Sequence, residues 1–419
     1  MKKIRNKKRI VNQKTLLVTA DIGKEKNYGY MRCPDGTEIE PFAFRNQHQG
    51  FAKFWKNVQY LKKEKSLTHV VVGIESTGAY GIPLLHFLKD KDVESVYVNP
   101  AHTKKVKEVQ DNSPNKNDKK DPKVIADIIE LGRWLRVVIP EGVAAELREL
   151  VHFRDDDMTE RTALYNKLND LMFKIFPEFE QVMKDLKTKT AQYILQHYPT
   201  PESIIELGIV QLSDIIHRLS RGKIRAAERA QQLYGVAQQS IGIKEGQKKI
   251  VNKIQNIFQI ISTYNQFIEQ YEHEISIALQ KIPDSNYILS IKGISDITAA
   301  GIIGELADFS DFKSFAEVEK YAGLNLYEIS SGKRKGQKGI SKRGRPLLRK
   351  LLYFAAINVV REGGIYHEKY QSYLKRGMPK MKALIAICRK LLRLIFALVR
   401  DHRKFDINYL ENKKVRKAA

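Results

Sequence analysis

Short apolar runs and alternating segments fill the first hundred residues and predict strands with helices between them. Residues 15–20 form a short apolar run typical of a strand, and residues 69–74 are predicted to form a buried strand. Residues 27–32 and 38–44 alternate like half-exposed strands, with Pro34-Asp35-Gly36 as the turn between them. Further predicted elements are helices over residues 50–62, 83–88 and 122–135, a strand over 93–98 and a polar, mobile loop over 103–121. The pattern favours an α/β domain with a mixed sheet.

The middle of the chain, residues 143–280, has helical periodicity. One seam repeats with spacings of four and three, as in the a and d positions of a heptad. Its members are Ile250, Ile254, Ile257, Ile261, Tyr264, Ile268, Tyr271 and Ile275. Two interpretations stay open, an internal helical hairpin and a dimerising coiled coil, because the length of the seam does not separate them.

The last third is mainly helical. The segment 293–301 (GISDITAAG) joins two helical patterns and is either a helix-hairpin-helix, whose turn amides can grip a phosphate, or an ordinary helix–helix turn. A further helix is predicted over 346–360. The predicted fold class is therefore α/β plus all-α. The expected parts are a basic arm (1–14), an α/β domain (15–142), a helical coiled-coil domain (143–282), a mainly helical C-terminal domain (283–400) and a basic tail (401–419).

Charge and cysteine content narrow the function. The 419 residues include 73 Lys and Arg against 48 Asp and Glu, a formal net charge of +25, which indicates a polyanionic partner such as nucleic acid. Two distant cysteines exclude a disulfide scaffold and a cysteine-cluster zinc site, and they fit a reducing cytosol. We find no secretory signal and no apolar stretch of about 18 residues, so no membrane partner is expected.

Four carboxylates could meet at one edge of the sheet. Asp21 and Glu75 end predicted strands, and Asp118 and Asp121 lie three residues apart at the start of a helix. Acids brought together would repel each other unless divalent cations neutralised them, and oxygen ligands favour Mg²⁺ or Mn²⁺. Two such ions could activate a nucleophile and stabilise a leaving oxygen at phosphorus.

Each of these acids also has a structural interpretation. Asp21 could form a turn, Glu75 could cap the turn that follows it, and Asp121 before a proline is a good N-cap. Asp118 could be one more acid in a lysine-rich loop. Three other acids compete for the metal role: Asp111, Asp127 and Glu130. The last two are better explained as the solvated face of a helix, and the case for a metal site depends on the first four acids together.

Several motifs together resemble the DEDD-type insertion-sequence transposases, a family that includes pilin-gene invertases and bridge-RNA-guided recombinases. The N-terminal motifs are 21–26 (DIGKEK), 73–80 (GIESTGAY), 99–101 (NPA) and 117–122 (NDKKDP). The C-terminal motifs are 293–301, 321–324 (YAGL), 331–332 (SG) and 340–344 (ISKRG). The family usually has Lys-Thr-Asp where this chain has Lys-Asn-Asp, and a proline follows Asp121 where alanine is common.

The resemblance implies a ribonuclease-H-like N-terminal domain, similar to Holliday-junction resolvases, and a C-terminal transposase domain. It implies that Asp21, Glu75, Asp118 and Asp121 bind Mg²⁺. It also implies a catalytic serine in a Ser-Gly pair, for which Ser331 is preferred and Ser330 is adjacent. Such a serine would attack a DNA phosphate, activated by metal ions and surrounding cations. Without the resemblance, Ser-Ser-Gly suits a flexible turn.

A second candidate site is the basic segment 333–350. Its nine cations and its lack of acids predict phosphate binding that weakens steeply with salt, although a solvated basic loop is the alternative. They are Lys333, Arg334, Lys335, Lys338, Lys342, Arg343, Arg345, Arg349 and Lys350.

The function predicted from the sequence is a DNA transposase or recombinase of an insertion sequence. Its expected partners are donor and target double-stranded DNA, a structured guide RNA and further copies of the chain, as a dimer or tetramer. The expected location is the cytoplasm of a bacterium or archaeon, associated with the nucleoid. Two alternatives remain: a junction-resolving nuclease that uses only the carboxylates and water, and a non-catalytic nucleic-acid-binding protein.

Overall fold

Residues 15–136 form one mixed sheet with helices against its faces. In the computed structural model, which describes residues 10–75, 78–111, 120–222, 225–328 and 338–408, this sheet has six strands. They are β1 (Thr15–Asp21), β2 (Lys26–Arg32), β3 (Glu38–Arg45), β4 (His69–Glu75), β5 (Glu94–Val98) and β6 (Trp134–Arg136). The order across the sheet is β3-β2-β1-β4-β5-β6. β1, β4 and β5 are parallel, and the other strands pair antiparallel with their neighbours.

The two unbroken apolar runs become the central strands β1 and β4. Their side chains alternate between two cores, one on each face of the sheet, which is why neither strand alternates with polar residues. Leu16 and Val18 lie in the core that includes Phe54, whereas Leu17 packs with Ile125 on the opposite face. The sheet strands confirm the predicted mixed α/β fold of this region.

Four helices connect or cover these strands, and two differ from the predicted pattern. They are α1 (His48–Glu64), α2 (Ile82–Lys89), α3 (Pro100–Asp111) and α4 (Asp121–Glu130). The prediction of a loop over 103–121 was wrong for residues 103–111, which belong to α3. Asn99 caps this helix, because its side-chain oxygen accepts a hydrogen bond from the Ala101 amide at 2.9 Å. The helix expected to reach residue 135 ends at Glu130. Gly132, at φ +70°, turns the chain, and β6 then pairs with β5.

The middle of the chain is helical, as the periodicity predicts. Its helices are α5 (Gly142–Ile175), α6 (Phe179–Val182), α7 (Lys189–His197), α8 (Pro201–Ser220), α9 (Ala226–Gln238) and α10 (Gln247–Gln280). The long helices α5 and α10 run antiparallel. The Arg154 guanidinium donates to Glu272 at 2.6 Å, and that of Arg161 donates to Asn265. The seam residues Ile254 and Ile261 are buried in the core of this region, so the heptad pattern has its partner inside the chain.

The C-terminal part is also mainly helical. After α10 come α11 (Ser285–Leu289), α12 (Asp296–Leu306), a short 3₁₀ helix (Phe309–Asp311), α13 (Phe315–Tyr321), β7 (Leu326–Glu328), β8 (Lys338–Ile340), α14 (Pro346–Val359), α15 (His367–Lys375) and α16 (Lys380–Arg400). β7 and β8 form a two-stranded antiparallel ribbon that the sequence pattern did not predict. No helix in the described part of the chain is both long and apolar enough to cross a membrane.

Contacts group the chain into two compact units that do not follow sequence order. One unit contains the residues up to Ala145 together with those from Pro283 onward, and the other is Glu146–Ile282. Within the first unit, the Lys320 ammonium donates to the Trp134 carbonyl at 2.7 Å, and Arg136 pairs with Asp311 at 3.4 Å. Edge strand β6 is therefore attached to α13 and the 3₁₀ helix before it.

Candidate metal centre and nucleic-acid surface

The carboxylates of Asp21 and Glu75 stand at the same edge of the sheet. Ala20 pairs with Ile74 in the parallel ladder between β1 and β4, and the two acids are the next residue on each strand. Parallel neighbours end side by side, so their carboxyl ends bring distant parts of the sequence together. Asp21 and Glu75, which directly follow the two apolar runs, thus lie next to each other.

Asp121 reaches the same edge from the start of α4. The hydroxyl of Thr19 in β1 donates to the Pro122 carbonyl at 2.6 Å and fixes the first turn of α4 beside the strand. Gly73 in β4 has no side chain, and the Ile129 side chain of α4 fills that space. The structure corrects the N-cap interpretation of Asp121: it is the first helical residue, and the N-cap is Lys120, whose side chain makes no capping hydrogen bond.

The pKa of Glu75 responds to the charges of both Asp21 and Asp121. Burial raises the pKa of Glu75 above its usual range, and the negative charges of Asp21 and Asp121 raise it further. The Lys107 ammonium and a hydrogen bond from Thr103 act in the opposite direction. Asp21, Glu75 and Asp121 therefore share one pocket, which we call the acidic pocket. Asp118 lies outside the described residues.

Helix α3 forms one wall of the acidic pocket. Thr103 and Lys107 are one turn apart, so they lie on the same face of the helix. Thr103 is buried and bonds to Glu75, while Lys107 forms an ion pair with Asp121. Sequence reasoning missed both residues because it expected a loop here. The signal was present in Asn99-Pro100, a cap residue followed by proline at the first helical position.

The side chains of Asp21, Glu75 and Asp121 are all carboxylates, whose oxygens are the ligands that a hard divalent cation prefers. The negative charges of Asp21 and Asp121 act on Glu75, and a cation would offset this repulsion. Among the described side chains, however, no group of three or more Asp, Glu, His or Cys residues is drawn close enough around one point to hold an ion. The Lys107 ammonium forms an ion pair with Asp121, and its charge also acts on Glu75. The metal-binding role of the four acids remains a prediction.

The competing acids of α4 have partners elsewhere. Asp127 and Glu130 both pair with the Arg32 guanidinium, at 2.8 and 2.9 Å, on the outer side of β2. Asp111 belongs to α3, but its side chain lies outside the described part of the structure. We therefore retain Asp21, Glu75 and Asp121 as the acids of the pocket.

Much of the basic segment also lies outside the described residues. This holds for Ser330, Ser331, Lys333, Arg334 and Lys335, and for the side chain of Lys338. Lys342 and Arg343 are exposed beyond β8. The Arg343 guanidinium lies 2.6 Å from Nε2 of His102, which is on α3 next to Thr103. Burial lowers the pKa of His102, and the charge of Arg343 lowers it further.

Two arginines of the predicted nucleic-acid surface have partners inside the protein. Arg345 pairs with Glu305, whose side chain is 2% exposed in the core helix α12. Arg349 donates to the carbonyls of Ala322 and Gly344, each at 2.9 Å. These bonds hold the end of the basic segment against α12 and α13. Of the described cations of the basic segment, Lys342, Arg343 and Lys350 are exposed.

A cleft of 1310 Å³ lies away from the acidic pocket. Its lining includes His69 and Glu94, at the amino ends of β4 and β5, and Phe312 and Lys320 of the C-terminal part. None of Asp21, Glu75 and Asp121 lines it. Its size alone therefore does not identify it as the site of the predicted chemistry.

The segment 293–301 forms a tight turn between α11 and α12. Gly293 has φ +100°, and the Ser295 side chain accepts from the Thr298 amide at 3.4 Å at the start of α12. Gly293 and Ser295 are exposed, whereas residues 298–306 of α12 are buried. The turn is therefore accessible to a phosphate, and α12 itself is a core helix.

Comparisons with known proteins agree with both parts of this description. A family model described as a transposase matches residues 18–177, and one described as a transposase of the IS116/IS110/IS902 family matches residues 285–371. An insertion element IS110 protein of Streptomyces coelicolor is 21% identical over 91% of this chain and 93% of its own length. The transposase of insertion sequence element IS1111A from Coxiella burnetii is 24% identical over 82% and 81%. The pilin gene-inverting protein of Moraxella lacunata is 32% identical over 35% and 47%.

The two family matches and the named relatives identify a transposase, an enzyme that cuts and rejoins DNA. The chain carries transposase domains of the IS110/IS116 family of insertion elements. The predicted family and enzyme class are confirmed.

Proposed function

We propose that this transposase cuts and rejoins DNA strands by Mg²⁺-dependent attack of a serine on phosphorus. The observation that carries the proposal is the acidic pocket, in which acids from β1, β4 and α4 meet within an electropositive chain. We further propose that residues 15–142 are a ribonuclease-H-like domain, 143–282 a helical domain that supports a dimer or tetramer, and 283–400 the serine-bearing domain.

Each part has a distinct chemical task in this proposal. Asp21, Glu75, Asp118 and Asp121 would hold the ions. When bound, one or two Mg²⁺ or Mn²⁺ ions would supply Lewis-acid stabilisation at the phosphate. Lys342 and Arg343 would bind phosphate oxygens near the reacting group.

The serine step conserves the energy of the phosphodiester. Ser331 Oγ, with Ser330 as its neighbour, forms a new oxygen–phosphorus bond, while the bond from phosphorus to the leaving strand oxygen breaks. The serine proton leaves to solvent, and the leaving oxygen takes up a proton. Because the strand remains linked as a phosphoserine ester, rejoining needs no external energy source.

We propose that the complete site combines the acidic pocket with the serine segment, supplied by different subunits, and that a structured RNA guides the choice of DNA. The family resemblance supports the RNA partner, and the net charge of +25 supports polyanion binding in general. If RNA is a partner, it should remain bound during purification at low salt and be released at high salt.

Trapping of a covalent protein–DNA adduct tests the reaction. Wild-type protein with Mg²⁺ and a DNA substrate should give a band that survives denaturation, and Ser331→Ala or Ser330→Ala should abolish it. Asp21→Asn should also abolish it, whereas Ser310→Ala, an exposed serine in the 3₁₀ helix, should not. Cleavage that persists in both Ser330→Ala and Ser331→Ala would instead support a nuclease that uses water. Binding without Mg²⁺-dependent cleavage in any form would support the non-catalytic alternative.

A further inference from the structure

Lys107 is a cation in the acidic pocket. Its ammonium pairs with Asp121, whose side chain is 16% exposed, and its charge also acts on Glu75. The lysine side chain is itself 30% exposed, so it is held mostly out of water. Placing a lysine there costs desolvation, which the surrounding negative charge offsets.

Helix α3 fixes the direction of this lysine. The cap at Asn99 sets where the helix begins, and the buried Thr103, one turn before Lys107, donates its hydroxyl to the Asn99 carbonyl at 3.3 Å. Lys104 and Lys105 on the same helix are exposed. The position of Lys107 is therefore a consequence of helix register and not of a generally basic loop.

Lys107 pairs with Asp121 and its charge also acts on Glu75, so it reduces the repulsion between these two acids. Crowded carboxylates repel unless a positive charge lies among them, and one ammonium supplies one such charge. A divalent ion carries twice the charge and binds several oxygens at once, so it can replace the ammonium. The two cations compete for the same acids.

We propose that Lys107 is a built-in counter-ion of the acidic pocket, which holds the acids together before metal loading and is displaced by the divalent ion. This inference rests on the proposed metal centre. Lys107 is a positioning residue, and its presence lowers the affinity for the metal, because binding must first break its ion pair.

Metal affinity measures this role without any turnover. Mn²⁺ binding to the full-length chain is followed by electron paramagnetic resonance of the free ion, in wild type, Lys107→Met and Lys107→Arg. We expect Lys107→Met to bind about tenfold more tightly, equivalent to about 1.4 kcal/mol, and Lys107→Arg to stay near wild type. Lys104→Met removes the same charge from an exposed position of the helix and should change the affinity by less than about twofold.

Thermal unfolding gives the complementary readout. With a chelator present, Lys107→Met should unfold at a lower temperature than wild type, and added Mn²⁺ should raise its midpoint by more than it raises that of wild type. An unchanged or weaker Mn²⁺ affinity in Lys107→Met would overturn the role of Lys107 and leave the metal centre standing. Mn²⁺ binding that is absent from wild type and Lys107→Met alike, or unaffected by Asp121→Asn, would overturn the metal centre itself.

A measurement on wild type covers the case in which Lys107→Met does not fold. Lysine acetylation mapped by mass spectrometry should be faster at Lys107 with Mg²⁺ than with a chelator, because the displaced ammonium reaches solvent. Lys104 should react equally in both conditions. Equal reactivity of Lys107 with and without Mg²⁺ would show that the ion does not displace it and would overturn the proposal.

Discussion

Removing the Arg345 guanidinium tests whether this cation serves the fold or the nucleic acid. Arg345→Ala deletes the pair with Glu305, including the Nη2–Oε1 bond of 3.1 Å, and leaves the carboxylate in a helix that is otherwise core. Breaking one side of a buried ion pair costs about 3–5 kcal/mol. Because the Arg345 side chain is 36% exposed, part of this interaction is already screened. We expect a loss of about 2–3 kcal/mol in the stability of this region.

Hydrogen exchange followed by mass spectrometry measures this loss locally, in peptides from α12 and α14. Arg343→Ala is the matched control, since it removes an exposed arginine two residues away, and should change exchange by less than about 0.5 kcal/mol. Replacing both partners, Arg345→Met with Glu305→Leu, should restore most of the protection. If Arg345→Ala leaves exchange unchanged and weakens DNA binding as strongly as Arg343→Ala, the assignment of Arg345 to the fold is wrong.

Three further outcomes follow from the site. Since the folded-state pKa of Glu75 is raised, its ionised form opposes folding. Glu75→Gln should therefore raise the melting temperature of the metal-free protein at pH 8, and the gain should vanish below the ordinary Glu value of 4.5. Replacing Lys342 and Arg343 with alanine should weaken DNA binding and reduce the slope of log affinity against log salt by about 1–2 units, in filter-binding titrations. A Cβ at residue 344 would overlap the backbone at Tyr321, so Gly344→Ala should lower the melting temperature; an unchanged midpoint would contradict that packing.

The sequence predicted the secondary structure correctly where the hydrophobic pattern was strong. The apolar runs at residues 15–20 and 69–74 predict β1 and β4, because only strands covered on both faces tolerate such runs. Once these strands are parallel neighbours, Asp21 and Glu75 must end side by side. The heptad seam likewise predicts α10, although periodicity alone could not show that its partner was α5 of the same chain.

Helix α3 and the partners of Arg345 and Arg349 could not be predicted, because they depend on contacts between residues far apart in sequence. The polar composition of 103–111 suggested a loop, but the cap at Asn99 and the bond from Thr103 to Glu75 stabilise a helix there. Arg345 and Arg349 looked like the other cations of the basic segment. Their partners, a buried acid of α12 and two carbonyls, could not be read from the local pattern.

The division of the chain into units has a consequence during its synthesis. The N-terminal sheet leaves the ribosome early, but its companions in the same unit follow only after Glu146–Ile282 has been made. At 5–20 residues per second, that wait is roughly seven to thirty seconds. Throughout it, the edge of β6 lacks the residues from Asp311 to Lys320 that later cover it. On the proposed mechanism, a nascent or truncated polypeptide that ends before Ser330 and Ser331 would lack the nucleophile and so could not break DNA strands.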